Sequence, residues 1–225
     1  MISRILLVAA TEAEADSFRK IPDVLTAGDG YSFNGKIIDL LVTGIGTMAT
    51  SWTLCKWFSA GRKPGLAVNI GIAGTFNNDI HPGEVVVPVS DCFADSGIET
   101  QAGFSTLFDA GLEDPDKFPF RSGKITVENP YITMALSFLK PVNSITVNTS
   151  SGSVRTIERL SRKFNPDIET MEGATFFYIC SGEKIPFLAL RAISNRVEPR
   201  NKDNWNIGLA LDNLSERLRE FILMV

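Results

Sequence analysis

Short apolar runs that alternate with segments of helical periodicity constrain this chain more than any other feature of its sequence. The apolar runs are rich in Val, Ile and Leu and are bounded by Gly, Pro or Asn, as expected of buried strands. They cover Arg4–Ala10, Lys36–Thr43, Leu66–Ile70, Glu84–Val89, Ser122–Val127, Asn143–Asn148 and Phe187–Ser194. Helical patterns lie between them, at Glu12–Lys20, Met48–Ala60, Pro130–Leu139, Val154–Phe164, Glu172–Cys180 and Asp203–Met224. The alternation predicts the α/β class.

Composition excludes several functional classes. With 225 residues, of which 44% are hydrophobic, the chain can bury one substantial core, so we expect a single domain over residues 1–225. The net charge of -4 and the lack of a Lys/Arg run argue against a nucleic-acid partner. No apolar stretch is long enough for a membrane span, and the first apolar run is followed at once by acidic residues, unlike a signal peptide. We therefore expect a cytoplasmic protein with no membrane partner.

Cysteine and histidine give no sign of a metal site or of a histidine-based triad. Cys55, Cys92 and Cys180 are odd in number and widely separated, which favours buried reduced thiols over disulfides or zinc ligands. The single histidine, His81, lies in the turn-like segment NNDIHPG, where a solvated side chain is expected. We predict no metal.

A long segment without clear periodicity, Asp95–Phe120, carries Phe104, Phe108, Phe118 and Phe120. Irregular segments of this length are usually functional or interfacial. Its aromatic residues either pack on the core of the same subunit or are covered by a second copy. The second alternative favours a homo-oligomer, a dimer or larger.

Two glycine turns follow predicted strands. The first, Gly44-x-Gly46-x-x-Ala49, formally satisfies the dinucleotide-binding fingerprint. That fingerprint also needs an acidic residue at the end of the next strand, where this chain has Asn69 and then Gly71, so a nicotinamide cofactor is disfavoured. What remains is a turn that brings backbone close to a small ligand, followed by a second such turn at Gly71-Ile72-Ala73-Gly74.

The order of these motifs resembles the signature of the nucleoside phosphorylase and nucleosidase superfamily. That signature is a GIG-type turn, an N-x-G-x-A-G turn and then G-[DE]-x-V-x-P, here GEVVVP. The resemblance covers essentially the whole chain, through ATEAEAD, ETMEGATFF and RAISNRVEPRNKDNW. Its last segment is similar to that of the futalosine hydrolases. The resemblance implies a three-layer α/β/α fold with a mixed, twisted central sheet, a purine nucleoside as substrate, and neither cofactor nor metal.

The same resemblance separates hydrolysis from phosphorolysis. In the phosphorylases of this superfamily, an arginine at the start of the second glycine turn binds phosphate through charge-assisted hydrogen bonds. This chain has Asn69 there, as the hydrolytic nucleosidases do. Water is therefore the expected nucleophile.

The resemblance also implies residue roles. Glu12, just after the first strand, is the expected general base, although residue type alone leaves Glu12 and Glu14 nearly equal as acidic residues of a first helical turn. Glu172 is expected to bind the sugar hydroxyls and Met171 to pack on the sugar. Without the contiguous ETMEGA match, a helix-terminal carboxylate and a core methionine would be the better interpretations.

Asn195 stands where the adenine-releasing nucleosidases have an aspartate. An amide can donate to N7 or to the 6-oxo group of a purine and accept from a ring N–H, which points to a 6-oxopurine such as hypoxanthine. We therefore expect hydrolysis of futalosine, which yields hypoxanthine and dehypoxanthine futalosine in menaquinone biosynthesis. The alternatives are a methylthioadenosine/adenosylhomocysteine nucleosidase, a purine nucleoside phosphorylase and a non-catalytic nucleoside-binding protein.

The resemblance suggests further contacts with the nucleoside. Trp205 is expected against the 5′ substituent, and Arg200, ahead of Arg196 or Arg155, against the carboxylate of that substituent. The remaining expected contacts are Ile72, which replaces a serine of the methylthioadenosine enzymes, Gly74 of the second glycine turn, and Ser151 beside the purine. Since the aromatic residue that stacks on the purine in those relatives is missing near Ser151, Phe33 and Phe104 are candidates for that role.

Overall fold

The computed structural model describes residues 2–101 and 103–225. Its strands are β1 Arg4–Ala9, β2 Leu25–Ala27, β3 Gly30–Phe33, β4 Lys36–Val42, β5 Leu66–Thr75, β6 Val85–Asp91, β7 Gly97–Thr100, β8 Gly103–Thr106, β9 Ile125–Thr126, β10 Lys140–Thr146, β11 Ile168–Thr170 and β12 Phe187–Arg196. Its helices are α1 Glu12–Arg19, α2 Thr47–Ser59, α3 Pro130–Ala135, α4 Val154–Phe164, α5 Gly173–Gly182 and α6 Ile207–Met224. A single 3-10 turn over Lys202–Asn204 precedes α6 in the described chain.

Over the described residues, ten strands form one mixed sheet in the order β11-β10-β6-β12-β5-β1-β4-β3-β2, with β9 paired to β6. The neighbours β4, β1, β5 and β12 run parallel, whereas β6 is antiparallel to β12. A further antiparallel pairing of β11 with β5 closes one end of the sheet into a ring. This closure brings the carboxyl ends of several strands together around one space.

The helices cover both faces of the sheet. Helix α1 packs against α6 on one face, and α2 packs against α5 on the other. The main core between these layers is aliphatic and aromatic, with Phe18, Phe176, Phe177 and Phe221 fully buried. The fold is therefore the predicted three-layer α/β/α arrangement with a mixed central sheet.

Strand β5 runs further than its apolar pattern predicts. The pattern ends at Ile70, and the GIAG segment after it was expected to form a turn. Instead β5 continues to Thr75, because Gly71–Gly74 pairs with β12 and residues 74 and 75 also pair with β11. Glycine in this strand leaves room for side chains that approach its backbone. The turn prediction was wrong here, whereas the first glycine turn is a turn, with Gly44 and Gly46 at φ of 88° and 89°.

The segment 95–120 is more ordered than its sequence suggests. It contains the hairpin of β7 and β8, and Phe108 packs edge-on against Phe120, which in turn contacts Tyr178 of α5. Phe104 lies beneath the guanidinium of Arg159. Phe118, by contrast, is 71% exposed. Most of these aromatic side chains are thus covered within the same chain.

In the part of the chain that the structure describes, none of the helices combines the length and the apolar character that crossing a membrane requires.

Candidate active site

A cavity of about 420 Å³ opens where the carboxyl ends of β1, β5, β11 and β12 meet. In open α/β sheets, this edge is where ligands bind. The start of α1, the first glycine turn and the segment that leads into α6 complete its wall. The cavity has the size of a small-molecule site and combines an apolar lining with a few polar side chains.

Glu14 is the best-held carboxylate in the cavity wall. Thr11 caps α1 and forms a capping box with Glu14, so that Glu14 Oε2 accepts hydrogen bonds from the N–H groups of Ala10 and Thr11, at 3.1 and 3.0 Å, and from the Thr11 hydroxyl. Glu14 Oε1 accepts one hydrogen bond, from the N–H of Ile72 at 2.9 Å. The Glu14 side chain is therefore held in place, and its Oε1 can still accept a further hydrogen bond.

Glu12, the residue predicted as the base, lies outside this cavity. Its side chain is 71% exposed and forms an ion pair with Arg19 at 2.7 Å, beside Asp16 on the outer surface of α1. The physical reason is helical geometry, because residues two apart on a helix point to different faces. Glu14, the alternative that residue type left open, faces inward and occupies the position expected of Glu12.

Glu172 lines the same cavity and is buried at the start of α5. Its Oε1 accepts the N–H of Gly46 at 2.8 Å, so the first glycine turn holds a carboxylate of the cavity wall. Burial raises the pKa of Glu172 above its ordinary value and nearby Glu14 raises it further, whereas Arg191 and the Gly46 N–H act in the opposite direction. Glu14 and Glu172 are thus the two carboxylates of this part of the cavity wall.

A buried charged network lies beneath this pair. Arg191 of β12 is 2% exposed and donates to the amide oxygen of Asn69, whose Nδ2 donates to the Val8 carbonyl at 2.9 Å. A Cβ on Gly71 would lie 2.5 Å from Glu14 Oε1 and 2.7 Å from Arg191 Nη1. Gly71 therefore leaves the space in which this carboxylate and this cation approach each other. Asn69 is a buried support of Arg191 rather than part of the cavity lining.

Asp91, at the end of β6, is the third carboxylate near Arg191. Its Oδ1 accepts from the Thr146 hydroxyl at 2.9 Å, and Thr146 in turn accepts the N–H of Ala174 at 2.8 Å. Within the described residues its Oδ2 has no hydrogen-bond partner, and it occupies the space that a side chain on Gly173 would need. Burial raises the pKa of Asp91 to about 7, against smaller opposing contributions from hydroxyl groups and Arg191. Asp91 thus packs against the start of α5, next to Glu172.

Asn195 reaches the cavity from the far end of β12. The pairing of β12 with β5 shifts register between Ile193 and Asn195, and such an irregularity redirects side chains locally. The Asn195 Oδ1 accepts from the Ser194 hydroxyl and its Nδ2 donates to the Arg196 carbonyl, both at 2.7 Å. The amide is 8% exposed and lines the cavity.

A third glutamate, Glu169 of β11, lines the cavity together with Asn195. Ser151 donates to both of its oxygens, the N–H to Oε1 at 2.8 Å and the hydroxyl to Oε2. Burial raises the pKa of Glu169, and the Ser151 hydrogen bonds oppose that shift. The predicted contact residue Ser151 is therefore part of the wall, with its polar groups on Glu169.

The outer wall contains most of the other predicted contacts. Trp205 and Arg200 both line the cavity, with the guanidinium carbon of Arg200 5.6 Å from the centre of the Trp205 ring. Ile72, Gly74 and Met171 also lie in the lining.

Four other candidates lie elsewhere. Arg196 binds Asn78, and Arg155 belongs to a separate surface depression. Phe33 is buried in the core, and Phe104 lies under Arg159. Neither aromatic ring lines the cavity, because Phe33 packs within the core and Phe104 packs against Arg159 of helix α4.

Comparison with known proteins places the chain in a family. A model of the phosphorylase superfamily matches residues 4–223. This chain belongs to the phosphorylase superfamily. It is 29% identical over 185 residues to a futalosine hydrolase of Streptomyces coelicolor, which covers 79% of this chain and 75% of the relative. It is 28% identical over 221 residues to a futalosine hydrolase of Thermus thermophilus, with 96% and 94% covered.

Among solved structures, the 5′-methylthioadenosine/S-adenosylhomocysteine nucleosidase of Neisseria meningitidis in complex with methylthio-immucillin-A has a similar fold. Its TM-score is 0.80 at 16% identity, and the match covers 99% of this chain and all of that one (100%). At this identity the likeness concerns the fold. It agrees with the three-layer architecture described above.

In this member of the superfamily, the segments that carried the sequence resemblance converge on the cavity. Four polar residues in its wall or beneath it were not chosen as site residues from the sequence: Glu14, which was only the alternative to Glu12, and Glu169, Arg191 and Asp91. A signal existed for Glu14, because Thr11 and Glu14 have the spacing of a capping box and Glu14 would therefore turn back toward the strand end. The other three depend on strand register and on pairings between distant segments, which a single sequence does not reveal. Within the described chain, no group of three or more His, Cys, Asp or Glu side chains is arranged as a metal site.

Proposed function

We propose that this chain hydrolyses the N-glycosidic bond of futalosine, releasing hypoxanthine and leaving dehypoxanthine futalosine, a step in menaquinone biosynthesis. The observation that carries the proposal is one cavity in which two fixed, buried carboxylates, Glu14 and Glu172, face a buried amide, Asn195. The names of two relatives support the choice of futalosine among purine nucleosides. We call the part of the cavity around Glu14 and Glu172 the sugar end, and the part around Asn195 and Glu169 the base end.

Glu14 is the general base for water in this proposal. Three donors use Glu14 Oε2, while Oε1 accepts, among the described residues, the Ile72 N–H alone and retains a lone pair for a water molecule. The water transfers a proton to Glu14 as its oxygen bonds to the anomeric carbon, and the electrons of the broken C–N bond leave with the purine. The purine anion then takes up a proton from solvent to become hypoxanthine, and Glu14 returns its proton to solvent, so that protons balance over the cycle. Fixed hydrogen bonds keep the carboxylate from reorganising during the reaction.

Glu172 stabilises the sugar as the C–N bond breaks. The transition state of glycosidic cleavage resembles an oxocarbenium ion, and a carboxylate in a dry site attracts that positive charge. Glu172 Oε1 is held by the Gly46 N–H, which leaves Oε2 free to accept from a sugar hydroxyl. Met171, the preceding residue, packs against the sugar from the same turn of chain.

Asn195 activates the leaving base by hydrogen bonding. Its Nδ2 uses one N–H for the Arg196 carbonyl, so the second N–H is available to the purine N7 or 6-oxo oxygen. An amide has no acidic proton to transfer, so the charge that develops on the base is stabilised by this donation rather than by full protonation.

Water, rather than phosphate, is the proposed nucleophile because of the two residues that lie beneath the sugar end, Asn69 and Arg191. At position 69 the chain has an amide that binds Val8 and Arg191, and Arg191 itself is 2% exposed. A phosphate in the cavity would therefore meet the carboxylates of Glu14 and Glu172. Neither β5, which carries Asn69, nor β12, which carries the buried Arg191, offers it an exposed arginine at this point.

The 5′ substituent lies against Trp205 in our proposal, and its carboxylate lies near Arg200. Both side chains line the cavity, and the indole offers a flat apolar surface for an aromatic group. Arg200 stays over the Trp205 ring and has no ion-pair partner among the described residues. A free guanidinium at this position suits a carboxylate on the substrate.

The same proposal includes a homo-oligomer in the cytoplasm. Next to the cavity, Ile45, Met48 and Trp52 are 61%, 85% and 72% exposed, and Ile45 itself lines the cavity. A second copy of the chain that covers this apolar face would also close the cavity wall. Light scattering after size exclusion should give a mass above that of one chain, and Trp52→Glu should lower both the mass and the turnover.

Base release tests the function directly. Futalosine, inosine, methylthioadenosine and adenosylhomocysteine are incubated with the protein, each with and without phosphate, and the free bases are separated by chromatography. We expect hypoxanthine from futalosine at a rate that phosphate does not change. Release of adenine would indicate the methylthioadenosine group, a requirement for phosphate would indicate a phosphorylase, and binding without release would indicate a nucleoside-binding protein.

A further inference from the structure

The first glycine turn reaches Glu172 through one backbone group, the Gly46 N–H, which donates to Glu172 Oε1 at 2.8 Å. Gly46 is the N-cap of α2, and the described residues provide no side-chain cap for this helix. Its φ of 89° lies in the left-handed region, and a Cβ built on Gly46 would meet no described atom within 4 Å. Glycine has access to many other conformations, and packing at its Cβ position does not oppose them. Other contacts must therefore hold the direction of the Gly46 N–H.

The residue after Gly46 makes such a contact. The Thr47 hydroxyl donates to Asn148 Oδ1 at 2.5 Å, across 101 positions of sequence. Asn148 lies just after β10, in the loop that continues to Ser150 and Ser151, two residues of the cavity lining. The hydrogen bond therefore joins the start of α2 to a distant segment that borders the same cavity.

Asp95 fixes the orientation of the Asn148 amide. Its Oδ1 accepts from Asn148 Nδ2 at 3.1 Å, and its Oδ2 accepts from the Asn148 backbone N–H at 2.5 Å. An ionised carboxylate can only accept hydrogen bonds, so the amide nitrogen faces Asp95 and the amide oxygen faces Thr47. We call Asp95, Asn148 and Thr47 the turn clamp. It ties together the segment after β6, the segment after β10 and the first residue of α2.

The Gly46 N–H also affects the charge of Glu172. Burial raises the pKa of Glu172 and Glu14 of α1 raises it further, whereas Arg191 of β12 and the Gly46 N–H lower it. Glu172 must be ionised to attract the positive charge that develops on the sugar. Without the Gly46 N–H, Glu172 would have a higher pKa, and its Oε1 would lose the donor that orients it.

We propose that the turn clamp positions Glu172 for catalysis by holding the Gly46 N–H against Glu172 Oε1. This inference rests on the proposed function, because it depends on the role of Glu172 at the sugar end. Thr47 and Asn148 are positioning residues, since neither belongs to the cavity lining and both act through the backbone of the glycine turn. The hydrogen bonds of the clamp are exposed to water, so they contribute little to global stability.

Thr47→Val tests the clamp, because valine is also branched at Cβ but lacks the hydroxyl. With futalosine, kcat should fall by about tenfold and KM should change little, as when a group that acts in the transition state is displaced. Thr47→Ser keeps the hydroxyl and should restore kcat close to the wild-type value. The matched control is Thr26→Val, the same change on the exposed edge strand β2, which should retain wild-type turnover.

Asn148→Ala removes the acceptor from the other side of the same hydrogen bond. If Thr47 and Asn148 act through that bond, kcat of the double variant should be no lower than that of the weaker single variant. Losses that multiply in the double variant would show two independent effects and would overturn the proposal.

The pH dependence of kcat/KM separates positioning from a merely structural role. Its acid limb reports the carboxylates that must be ionised in the free enzyme. In Thr47→Val this limb should move to higher pH, since Glu172 loses an N–H that lowers its pKa. A structural role would reduce activity or stability without moving the limb, and an unmoved limb in Thr47→Val would overturn the proposal.

Amide hydrogen exchange at Gly46, followed by NMR, tests the clamp without turnover. The Gly46 N–H should exchange about tenfold faster in Thr47→Val than in wild type or Thr26→Val. If wild type hydrolyses no nucleoside, the proposed function is wrong, while the exchange rates still decide whether the clamp holds this N–H. If futalosine is hydrolysed without phosphate and Thr47→Val has the wild-type kcat, only the role of the clamp is wrong.

Discussion

The sugar end and the base end of the cavity are both polar, but their polar groups are held in different ways. At the sugar end, Glu14 and Glu172 each accept one N–H group from a segment far away in the sequence, Ile72 and Gly46, and Glu14 also accepts from its neighbours Ala10 and Thr11. At the base end, the hydrogen bonds that the described residues give the Asn195 side chain are to its neighbours Ser194 and Arg196, and Glu169 is held by Ser151. Both carboxylates of the sugar end are thus tied to distant parts of the fold, whereas the amide of the base end is tied to its own strand.

This difference indicates that the sugar end determines the reaction rate and that the base end determines the preference among substrates. A group that stabilises a transition state must already be oriented before the reaction, and backbone donors from packed elements provide that orientation. Recognition of one base among several needs only a local pattern of donors and acceptors, which single substitutions can change. Changes at the sugar end should therefore lower the rate for every substrate, and changes at the base end should alter the preference among substrates.

The largest expected effect is that of Glu14→Gln. Glutamine keeps the shape and one acceptor but cannot take a proton from water, so kcat should fall by about a hundredfold to ten-thousandfold with little change in KM. The matched control is Glu12→Gln, which changes an exposed residue of the same helical turn and should retain wild-type turnover. Steady-state kinetics with futalosine shows which glutamate is the general base. Loss of activity in Glu12→Gln alone would assign that role to Glu12.

Glu172→Gln should come next. The amide oxygen can still accept the Gly46 N–H, but the negative charge opposite the sugar is lost, so kcat/KM should fall by about a hundredfold for futalosine and inosine alike. The measurement is kcat/KM for both nucleosides. A loss confined to one of them would show that Glu172 reads the substituent or the base rather than the sugar.

Asp91, beneath the sugar end, should make stability depend on pH. Burial raises the pKa of Asp91 to about 7 in the folded protein, so the folded state binds the proton more tightly than the unfolded state does. This contribution to stability is present in full below the unfolded pKa and is lost as the pH rises through about 7. Between pH 5 and pH 8, wild type should lose about 2 kcal/mol of unfolding free energy relative to Asp91→Asn.

Urea unfolding of both proteins at several pH values measures that difference. Asparagine preserves the acceptor for the Thr146 hydroxyl and removes the titrating group, so the comparison isolates the ionisation of Asp91. Parallel stability curves for the two proteins would contradict a raised pKa at this position.

The smallest expected effect concerns the base end. Asn195→Asp should lower kcat/KM for futalosine by about tenfold and raise the relative turnover of its 6-amino analogue, because the donor to N7 or the 6-oxo oxygen becomes an acceptor when the carboxyl is ionised. Competition between the two nucleosides in one reaction gives the ratio directly. An unchanged ratio would mean that other groups read the base, and it would weaken the distinction between the two ends.

The sequence predicts the fold more fully than it predicts the site, for physical reasons that differ between elements. Helix α4 has the bounds that its periodicity predicts, Val154–Phe164, because a strongly amphipathic pattern specifies a surface helix locally. Strand β1 is also predicted within a residue. By contrast, β5 extends through the GIAG segment because pairing with β11 and β12, a tertiary effect, overrides the local tendency of glycine to form turns.

The site follows the same division. Asn195, Glu172, Trp205 and Arg200 were found by motif, and the structure brings them into one cavity. The choice between Glu12 and Glu14 needed the direction of each side chain on α1, which the capping box fixes. Glu169 becomes a candidate only when β11 is paired with β5, because that pairing places Glu169 beside Gly74, almost a hundred positions earlier in the chain. Such pairings are not encoded in local patterns, so that residue emerges from the structure alone.

The most direct test of the central claim is to carry out the reaction in water labelled with heavy oxygen, in the presence of phosphate, and to analyse the sugar product by mass spectrometry. If Glu14 activates water at the sugar end, futalosine should give hypoxanthine and a sugar product that carries one heavy oxygen at the anomeric carbon, and Glu14→Gln should abolish its formation while Glu12→Gln does not. A sugar phosphate, or a labelled product formed at the wild-type rate by Glu14→Gln, would contradict the account.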